Sequence, residues 1–146
     1  MSEAGFVNER IRNGTLQEAG RLLLRLMLGG LLLFHGISKI IHGIDSLTAG
    51  IGRAGLPGEL GYLVYVGEVV APVLLILGIW TRIGALLVVV NMLVAIALVH
   101  SGQFFSLSKS GGYGLELQAF YLLTAVAITM LGAGRHGLGG KDGRWN

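Results

Sequence analysis

Six polar side chains lie within or at the edges of long apolar runs of the 146-residue sequence. A charged side chain in hydrocarbon costs about 2.5–3.5 kcal/mol on insertion scales, so it usually faces a partner or a cavity. A carboxylate and an imidazole can relay or donate protons, and an ammonium group can stabilise an anion. Together these groups predict a site for proton transfer and hydrogen bonding inside a helical protein. They are His35, Lys39, Glu68, Asn91, His100 and Glu116.

The apolar runs that hold these side chains have the length of membrane-spanning helices. The chain is 53% hydrophobic and 13% charged, with a mean hydropathy of +0.71, whereas soluble domains carry about 25% charged residues. A spanning helix needs roughly 20 apolar residues, and four stretches qualify or nearly so. We therefore predict an all-α protein, an integral membrane four-helix bundle made of two antiparallel hairpins. The predicted spans are Leu22–Ile41, Leu60–Trp80, Ile83–Val99 and Leu115–Leu131.

Polar or glycine-rich segments flank the predicted spans and divide the chain. Residues 1–21 carry mixed charge and no apolar signal-peptide core, so a short cytoplasmic arm with one interfacial helical turn is expected. Residues 22–132 form the predicted four-helix domain. Residues 133–146 are glycine-rich and polar, which predicts a mobile cytoplasmic tail. The link between the second and third spans is only Thr81-Arg82, which requires an antiparallel hairpin.

Lysine and arginine set the predicted orientation, because cytoplasmic segments of membrane proteins carry an excess of them. Two of them, Arg53 and Lys109, lie on one side, and seven lie on the other. Arg25 and Lys39 lie in the first span and are not counted. Both termini are therefore predicted to be cytoplasmic, in a bacterial-type inner membrane. The seven are Arg10, Arg12, Arg21, Arg82, Arg135, Lys141 and Arg144.

The polar side chains are predicted to gather in the outer half of the bilayer. At ~1.5 Å per residue, His35 lies ~20 Å and Lys39 ~25 Å above the inner surface. Glu68 lies ~12 Å below the outer end of the second span, close to the level of His35. The remaining members belong to the third and fourth spans: His100, Glu116 and, nearer the midplane, Asn91.

Structural explanations for the same residues stay open. Lys39 could simply extend to the lipid headgroups. Glu68 lies too deep to do so, hence it is either paired or protonated, and a purely structural ion pair is one alternative. His100 could be a surface histidine, and Glu116 a helix N-terminal charge favoured by the helix dipole. Arg25, close to the inner interface, is expected to extend toward lipid phosphates.

Composition disfavours several other classes of function. The sequence has no cysteine, which excludes disulfides, thiol redox chemistry and Cys-ligated iron–sulfur clusters. The histidine spacing matches no metal motif, so neither a metal site nor a tightly bound cofactor is predicted. The one histidine pair considered for a b-type haem is His35 with His100. The basic residues adjoin apolar runs, so the expected partner is a lipid bilayer and not nucleic acid.

The order and spacing of short motifs across the four spans resemble the DoxX family of small membrane proteins. The resemblance covers roughly residues 20–138. One departure is that the family commonly places its acidic residue nearer the Gly-Gly pair than Glu116. The matching motifs are Arg25-x₉-His35-Gly36-x-x-Lys39, Glu68-x₃-Pro72-x₅-Gly78 with Thr81-Arg82, Gly111-Gly112-Tyr113-Gly114-Leu115-Glu116, and Gly132-Ala133-Gly134-Arg135.

The resemblance implies a redox-linked membrane subunit, because the family takes its name from a subunit of a membrane thiosulfate:quinone oxidoreductase. A quinone headgroup needs hydrogen-bond donors to its carbonyl oxygens and a route for protons. With quinone as co-substrate, His35 would donate to the quinone oxygen, Glu68 would relay protons and Lys39 would stabilise the anion. These three are the predicted catalytic residues. The predicted quinone-binding set adds Asn91, His100 and Glu116.

Two hypotheses from different classes follow from these residues. In the first, the chain is a quinone-linked oxidoreductase subunit with a protein partner in a membrane complex. In the second, it is a non-catalytic assembly or interaction subunit whose polar residues fix helix packing or dock a partner. The sequence shows no obvious redox centre, which favours the second. A small-solute carrier is less favoured, because four spans without a broken helix are predicted.

Overall fold

A computed structural model describes residues 3–109, 111–140 and 143–146, with side chains described from Arg12 onward. Over these residues the chain forms five α-helices and no β-strand, so the all-α prediction is confirmed. A 3₁₀ helix (Gly58–Leu63) and a π-helical turn (Val66–Val70) precede α3. A 3₁₀ turn (Ser101–Gln103) follows α4. The α-helices are α1 (Glu3–His42), α2 (Asp45–Arg53), α3 (Ala71–Leu77), α4 (Thr81–Leu98) and α5 (Glu116–Leu131).

Three helical stretches of the described chain are long and apolar enough to cross a membrane, namely Arg12–His42, Gly58–Leu77 and Thr81–Leu98. The apolar helix α5 is shorter, with 16 residues. Large apolar side chains are exposed on these helices, as Phe34 at 72% and Met130 at 75% illustrate. Water solvates such a surface poorly and lipid solvates it well. The helices therefore indicate a lipid environment.

The N-terminal arm differs from its prediction. Helix α1 begins at Glu3 and continues without a break into the first apolar run, so the arm is much longer than one helical turn. Extending an existing helix adds a hydrogen bond per residue without a new nucleation cost. The arm also contacts the other end of the chain, because Glu18 Oε2 accepts a hydrogen bond of 2.5 Å from the Arg135 backbone N–H. Residues 1–2, the Arg10 side chain and Lys141, which entered the predictions, lie outside the described residues.

The second apolar run is not the unbroken α-helix that the sequence predicted. It passes from 3₁₀ to π to α geometry before it ends at Leu77. Pro72 explains the change, because a proline has no N–H and its ring crowds the carbonyl group four residues earlier. That carbonyl belongs to Glu68, in the π-helical turn Val66–Val70. The wider turn accommodates the proline, and π-helical turns of this kind occur frequently at functional sites.

The turn between α3 and α4 lies a few residues earlier than predicted. Helix α3 ends at Leu77 and is followed by Gly78, whose φ of +68° is left-handed. Trp80, with a φ of +47°, precedes the first residue of α4. Thr81 and Arg82, predicted to form the link, therefore belong to α4. Gly78 is required for a second reason, since a Cβ atom there would overlap the Arg25 guanidinium group.

Arg25 is fully buried, so the expectation that it extends to lipid phosphates is wrong. Its Nε and Nη2 donate to the carbonyl oxygens of Leu75 and Ile76 at 2.9 and 3.2 Å, in the last turns of α3. Its Nη1 donates to the Ala133 carbonyl oxygen, just after α5, at 2.6 Å. Helix C-termini carry unpaired carbonyl groups and partial negative charge. One guanidinium group thus satisfies and joins the ends of two helices.

The tail also differs from the mobile segment predicted for it. The backbone N–H groups of Leu138 and Gly139 donate to the carbonyl oxygens of Leu77 and Gly78, each at 3.0 Å. Asn146 is 8% exposed, and its Oδ1 accepts from both the backbone N–H and the hydroxyl group of Thr81. The described tail residues therefore complete the hydrogen bonding of the α3–α4 turn, which gives a polar segment a fixed position.

The apolar core lies between these polar contacts and the opposite end of the helices. Its side chains come from α1, α3, α4 and α5, and most are no more than 1% exposed. The core members are Leu28, Leu32, Ala71, Leu75, Ala85, Val88, Met92, Tyr121, Ala125 and Ile128.

Replacing Arg25 with methionine tests its role in joining the helix ends. We expect Arg25→Met to lower the free energy of unfolding by about 3 kcal/mol, because it leaves buried carbonyl groups unpaired. Thermal unfolding of the detergent-solubilised protein, followed by circular dichroism, measures the change. Arg12→Met, at an exposed position of the same helix, is the matched control. Equal melting temperatures for the two variants would refute this role.

Candidate functional site

A cavity of about 500 Å³ lies between α4 and the helical segment around the π-helical turn, with α2 contributing part of its wall. We call it the Glu68 cavity. Most of its lining is apolar, including Leu47 and Ile51 of α2. Ligand pockets commonly have this volume and this mixture of an apolar wall with few polar groups. The polar side chains of the lining are Lys39, Glu68, Asn91 and His100.

An ion pair between α1 and the π-helical turn forms the most polar part of the Glu68 cavity. Lys39 Nζ lies 2.5 Å from Glu68 Oε2, and the two side chains are 30% and 9% exposed. The Tyr65 hydroxyl group donates to the Lys39 carbonyl oxygen at 3.2 Å. The attraction between opposite charges at this distance offsets part of the cost of their burial.

Two glycines allow the backbone segments around the ion pair to approach each other. A Cβ atom on Gly36 of α1 would overlap the Glu68 carbonyl oxygen, and one on Gly67 would overlap the Asn91 side chain. Any larger residue would push α1 or α4 away from the π-helical turn. The sequence thus fixes the depth and direction of Glu68 through small residues on its neighbours.

Two buried polar atoms near the Glu68 cavity have no hydrogen-bond partner among the described residues. They are Asn91 Nδ2 and His100 Nδ1. Buried polar atoms in proteins are usually paired, so each exception requires an explanation. The two residues are nine positions apart along α4 and its end, which corresponds to ~13 Å. The cavity therefore has polar groups at two levels, one beside the ion pair and one near the end of α4.

His35 lies outside the Glu68 cavity, although the sequence grouped it with Lys39. Its side chain is exposed on α1, and its Nε2 lies 3.4 Å from the Tyr121 hydroxyl oxygen of α5. The two rings meet edge to face with centroids 6.0 Å apart. His35 therefore faces α5, whereas Lys39 faces the π-helical turn. His35 and His100, the pair considered for a haem, do not line a common cavity.

Glu116 lines a different space, a groove of about 580 Å³ between α1 and α5. Tyr121 and Ser108 also line it, together with apolar side chains such as Leu28 and Phe120. The predicted outer cluster is thus divided. Lys39, Glu68, Asn91 and His100 meet around one cavity, and His35 and Glu116 lie on the α5 side of α1.

Tyr65 and Tyr121 contribute contacts that sequence reasoning did not assign. Neither residue belongs to the polar cluster predicted from the sequence. Tyr65 precedes the predicted acidic residue by three positions, which places it one helical turn away, and this spacing was the available signal. No comparable signal identifies Tyr121, because its partner His35 lies 86 residues away. Among the described residues, no group of three His, Asp or Glu side chains could hold a metal ion.

The wall of the Glu68 cavity indicates how a ligand reaches it. Leu63, Val90 and Val94 line the cavity and are themselves 61%, 57% and 48% exposed. These residues lie on the outer faces of the 3₁₀ helix and α4, which face lipid in a membrane. The arrangement can accept an apolar molecule from the bilayer and offer its polar end a carboxylate, an ammonium group and an amide.

The contact between Gly36 and the π-helical turn can be tested against a glycine on the same helix. We expect Gly36→Ala to lower the free energy of unfolding by about 1–3 kcal/mol, because the added methyl group overlaps backbone atoms. Gly30→Ala is the matched control, since a Cβ atom there has nothing within 4 Å, and the gain in helix propensity should make it neutral or stabilising. Thermal unfolding in detergent distinguishes the two, and equal effects would contradict the close contact.

A double-mutant cycle measures the ion pair. Glu68→Gln leaves the Lys39 cation unpaired, and Lys39→Met leaves the buried Glu68 carboxylate unpaired. The losses of stability in the two single variants should therefore add up to more than the loss in the double variant. We expect a coupling free energy of about 2 kcal/mol, below the range for fully buried pairs because Lys39 is 30% exposed. Thermal unfolding of the wild type, both single variants and the double variant gives this value. Additive effects would show that the pair does not contribute to stability.

Comparisons with known proteins agree with the motifs described above. A family model for DoxX matches residues 20–101, more than half of the chain. A Bacillus subtilis (strain 168) protein named "Putative oxidoreductase CatD" is 30% identical over 116 residues, 80% of this chain and 81% of that protein. An uncharacterized protein of Haemophilus influenzae is 33% identical over 121 residues, 81% of this chain and 87% of its own length. No solved structure matches the chain. With its apolar helices, this chain is a membrane protein that belongs to the DoxX family.

Proposed function

We propose that this chain is a redox-linked subunit of a bacterial-type inner membrane, and that it binds quinone in the Glu68 cavity. The observation that carries the proposal is the buried Lys39–Glu68 pair in a cavity whose apolar wall faces lipid. A quinone has an apolar tail that partitions into the bilayer and a headgroup that needs hydrogen bonds and protons. The name of the Bacillus subtilis relative, which contains the word oxidoreductase, supports a redox role.

The proposed arrangement in the membrane is a four-helix bundle of two antiparallel hairpins with both termini in the cytoplasm. At ~1.5 Å per residue α5 is ~24 Å long, somewhat less than the ~30 Å hydrocarbon core, so its flanking residues must complete the crossing. Arg25 and Ala133 meet at one end of the bundle, and His35 and Tyr121 meet further along it. These contacts support an antiparallel arrangement of α1 and α5. The arginine and lysine distribution supports the orientation.

In this proposal, each polar residue of the Glu68 cavity has a separate role in quinone reduction. Reduction of a quinone to a quinol takes up two electrons and two protons. The Lys39 ammonium group donates a hydrogen bond to a headgroup oxygen and stabilises the negative charge that develops there. Glu68 takes up a proton from the aqueous phase and passes it to this oxygen, and a second uptake by Glu68 supplies the proton of the other headgroup oxygen. Asn91 holds the headgroup, and a protein partner in the membrane complex supplies the electrons.

His35 and Glu116 have different roles in this proposal from those that the sequence suggested. Neither lines the Glu68 cavity, so the hydrogen-bond donor to the quinone oxygen is assigned to Lys39 instead of His35. His100 stays in the site, at the end of α4. No tightly bound cofactor is required, because quinone acts as a co-substrate that enters and leaves through the lipid.

A second candidate function is a non-catalytic assembly or interaction subunit. The observation that favours it is the exposed side chain of His35 within the apolar part of α1. Its Nε2 contacts Tyr121, but the exposed remainder of this polar side chain is costly in lipid, and a partner helix that covered it would lower that cost. The long helical arm of α1 offers such a partner additional surface outside the membrane.

Replacing Glu68 with glutamine tests the proposed function. We expect Glu68→Gln to lower the rate of quinone reduction in membranes at least tenfold, because glutamine keeps the shape but cannot carry a proton. Glu59→Gln, an exposed glutamate of the neighbouring 3₁₀ helix that does not line the cavity, should leave the rate unchanged.

Binding is measured separately, by equilibrium dialysis of a short-chain quinone against the wild type and both variants in nanodiscs. The proposal fails if the purified wild type binds no quinone and Glu68→Gln leaves reduction in membranes unchanged. A mild-detergent pull-down then distinguishes the two candidate functions. Copurification with a soluble redox protein and extractable quinone supports the first, and a partner without either supports the second.

A further inference from the structure

The Glu68 cavity extends in one direction from the ion pair. Its polar groups lie at two levels, with Lys39, Glu68 and Asn91 in the interior and His100 two residues beyond the end of α4. His100 is partly exposed, and its Nδ1 has no partner among the described residues. An imidazole can bind or release a proton at either ring nitrogen, so a ring nitrogen without a partner can take part in proton transfer. His100 lies at the end of the cavity beyond α4.

The opposite direction from Glu68 is closed by close-packed apolar side chains. The next turns of this segment place Ala71 and Leu75 against Leu28 and Leu32 of α1 and Val88 of α4, each no more than 1% exposed. Packing of this density leaves no space for water molecules. Arg25 lies beyond this layer, with its guanidinium group committed to three carbonyl oxygens. None of these five core side chains has a polar group that could pass a proton across the layer.

The other titratable groups around Glu68 lie, like His100, on the side of the core layer that is away from Arg25. Lys39 of α1 and Tyr65 face it from the side of the ion pair, and the Tyr121 hydroxyl group of α5 is engaged with His35. The charged groups of α2 and the 3₁₀ helix are exposed and do not line the cavity. They are Asp45, Arg53 and Glu59. Besides Glu68, the titratable groups of the cavity lining are Lys39, which is 30% exposed and paired with Glu68, and His100, which lies beyond the end of α4.

We propose that Glu68 exchanges protons with the aqueous phase on the His100 side of the membrane only, and that His100 transfers these protons at the cavity mouth. The imidazole takes a proton from solvent on one ring nitrogen and releases one from the other. The released proton reaches a Glu68 carboxylate oxygen, and the reverse sequence exports it. At ~30 Å³ per water molecule, a cavity of about 500 Å³ has room for a connecting water chain. The inference concerns the site of the proposed function, but it does not require quinone as the ligand.

Cysteine accessibility tests the direction of the route, and the chain has no native cysteine that would react. Asn91→Cys and Val94→Cys place a thiol in the cavity lining, and Leu75→Cys places one in the core layer. Lys109→Cys and Arg12→Cys, both at exposed positions, mark the His100 side and the opposite side. The probe is a membrane-impermeant, positively charged methanethiosulfonate reagent, added to sealed spheroplasts or to inverted membrane vesicles.

We expect Asn91→Cys or Val94→Cys to react at least tenfold faster in the preparation that exposes Lys109→Cys, and Leu75→Cys to react in neither preparation. Faster or equal reaction from the Arg12→Cys side would overturn the proposal. Absence of reaction from both sides, in variants that do react after denaturation, would overturn it as well. Quinone binding is measured independently, so failure of the proposed function and failure of this inference are distinguishable.

Chemical rescue tests the part played by His100. After a pH jump, infrared spectra recorded over time show the carboxyl stretching band of protonated Glu68, and its growth gives the rate of proton uptake. The band is identified as that of Glu68 because it is absent in Glu68→Gln. We expect His100→Ala to slow this uptake at least tenfold, and added imidazole to restore it. A merely structural role would not respond to free imidazole, and an unchanged rate in His100→Ala would refute the assignment.

Discussion

The absence of water in a bilayer core requires the chain to satisfy its own polar groups, and the organisation of this protein depends on that constraint. Arg25 shows the constraint most clearly. It is a buried charge that donates to the carbonyl oxygens of Leu75, Ile76 and Ala133, groups that helix ends would otherwise leave unpaired. The same contact fixes where α3 and α5 end relative to α1. A residue that looked like a surface anchor is thus the junction of three helices.

The rest of that end of the molecule follows from the same requirement. Tail residues pair with the carbonyl groups of Leu77 and Gly78, and Asn146 accepts from the N-terminus of α4. These bonds give a glycine-rich, polar tail a defined path beneath the turn. Pro72 has no N–H to donate to the Glu68 carbonyl group, and the π-helical turn Val66–Val70 places the Glu68 side chain beside Lys39. A backbone irregularity therefore positions the most polar side-chain pair of the protein.

The sequence predicted those features that depend on periodicity, hydropathy and short motifs. The helical class, the family and a polar cluster that includes Lys39 and Glu68 follow from apolar runs, short motifs and estimates of depth along single helices. The partner of Arg25 could not be predicted, because its acceptors are backbone atoms 50 to 108 residues away. Helical angle alone placed His35 with Lys39, yet the packing of α5 against α1 turns it toward Tyr121. The π-helical turn was also missed, although Pro72 four residues after Glu68 was a visible signal.

The two ends of the molecule differ in how completely their polar groups are satisfied, and this difference separates structural from functional residues. Around Arg25 the guanidinium nitrogens and the facing carbonyl oxygens are paired with each other, so a ligand would have to break existing bonds. Around Glu68 the cavity combines one ion pair with Asn91 Nδ2 and His100 Nδ1, which are buried without a partner in the described chain. An unpaired buried polar atom costs about 1–3 kcal/mol. A ligand or a proton that paired with these two atoms, beside a cavity open to lipid, would remove this cost. We therefore assign the site to the Glu68 end of the molecule and not to the Arg25 end, where the charge is already paired.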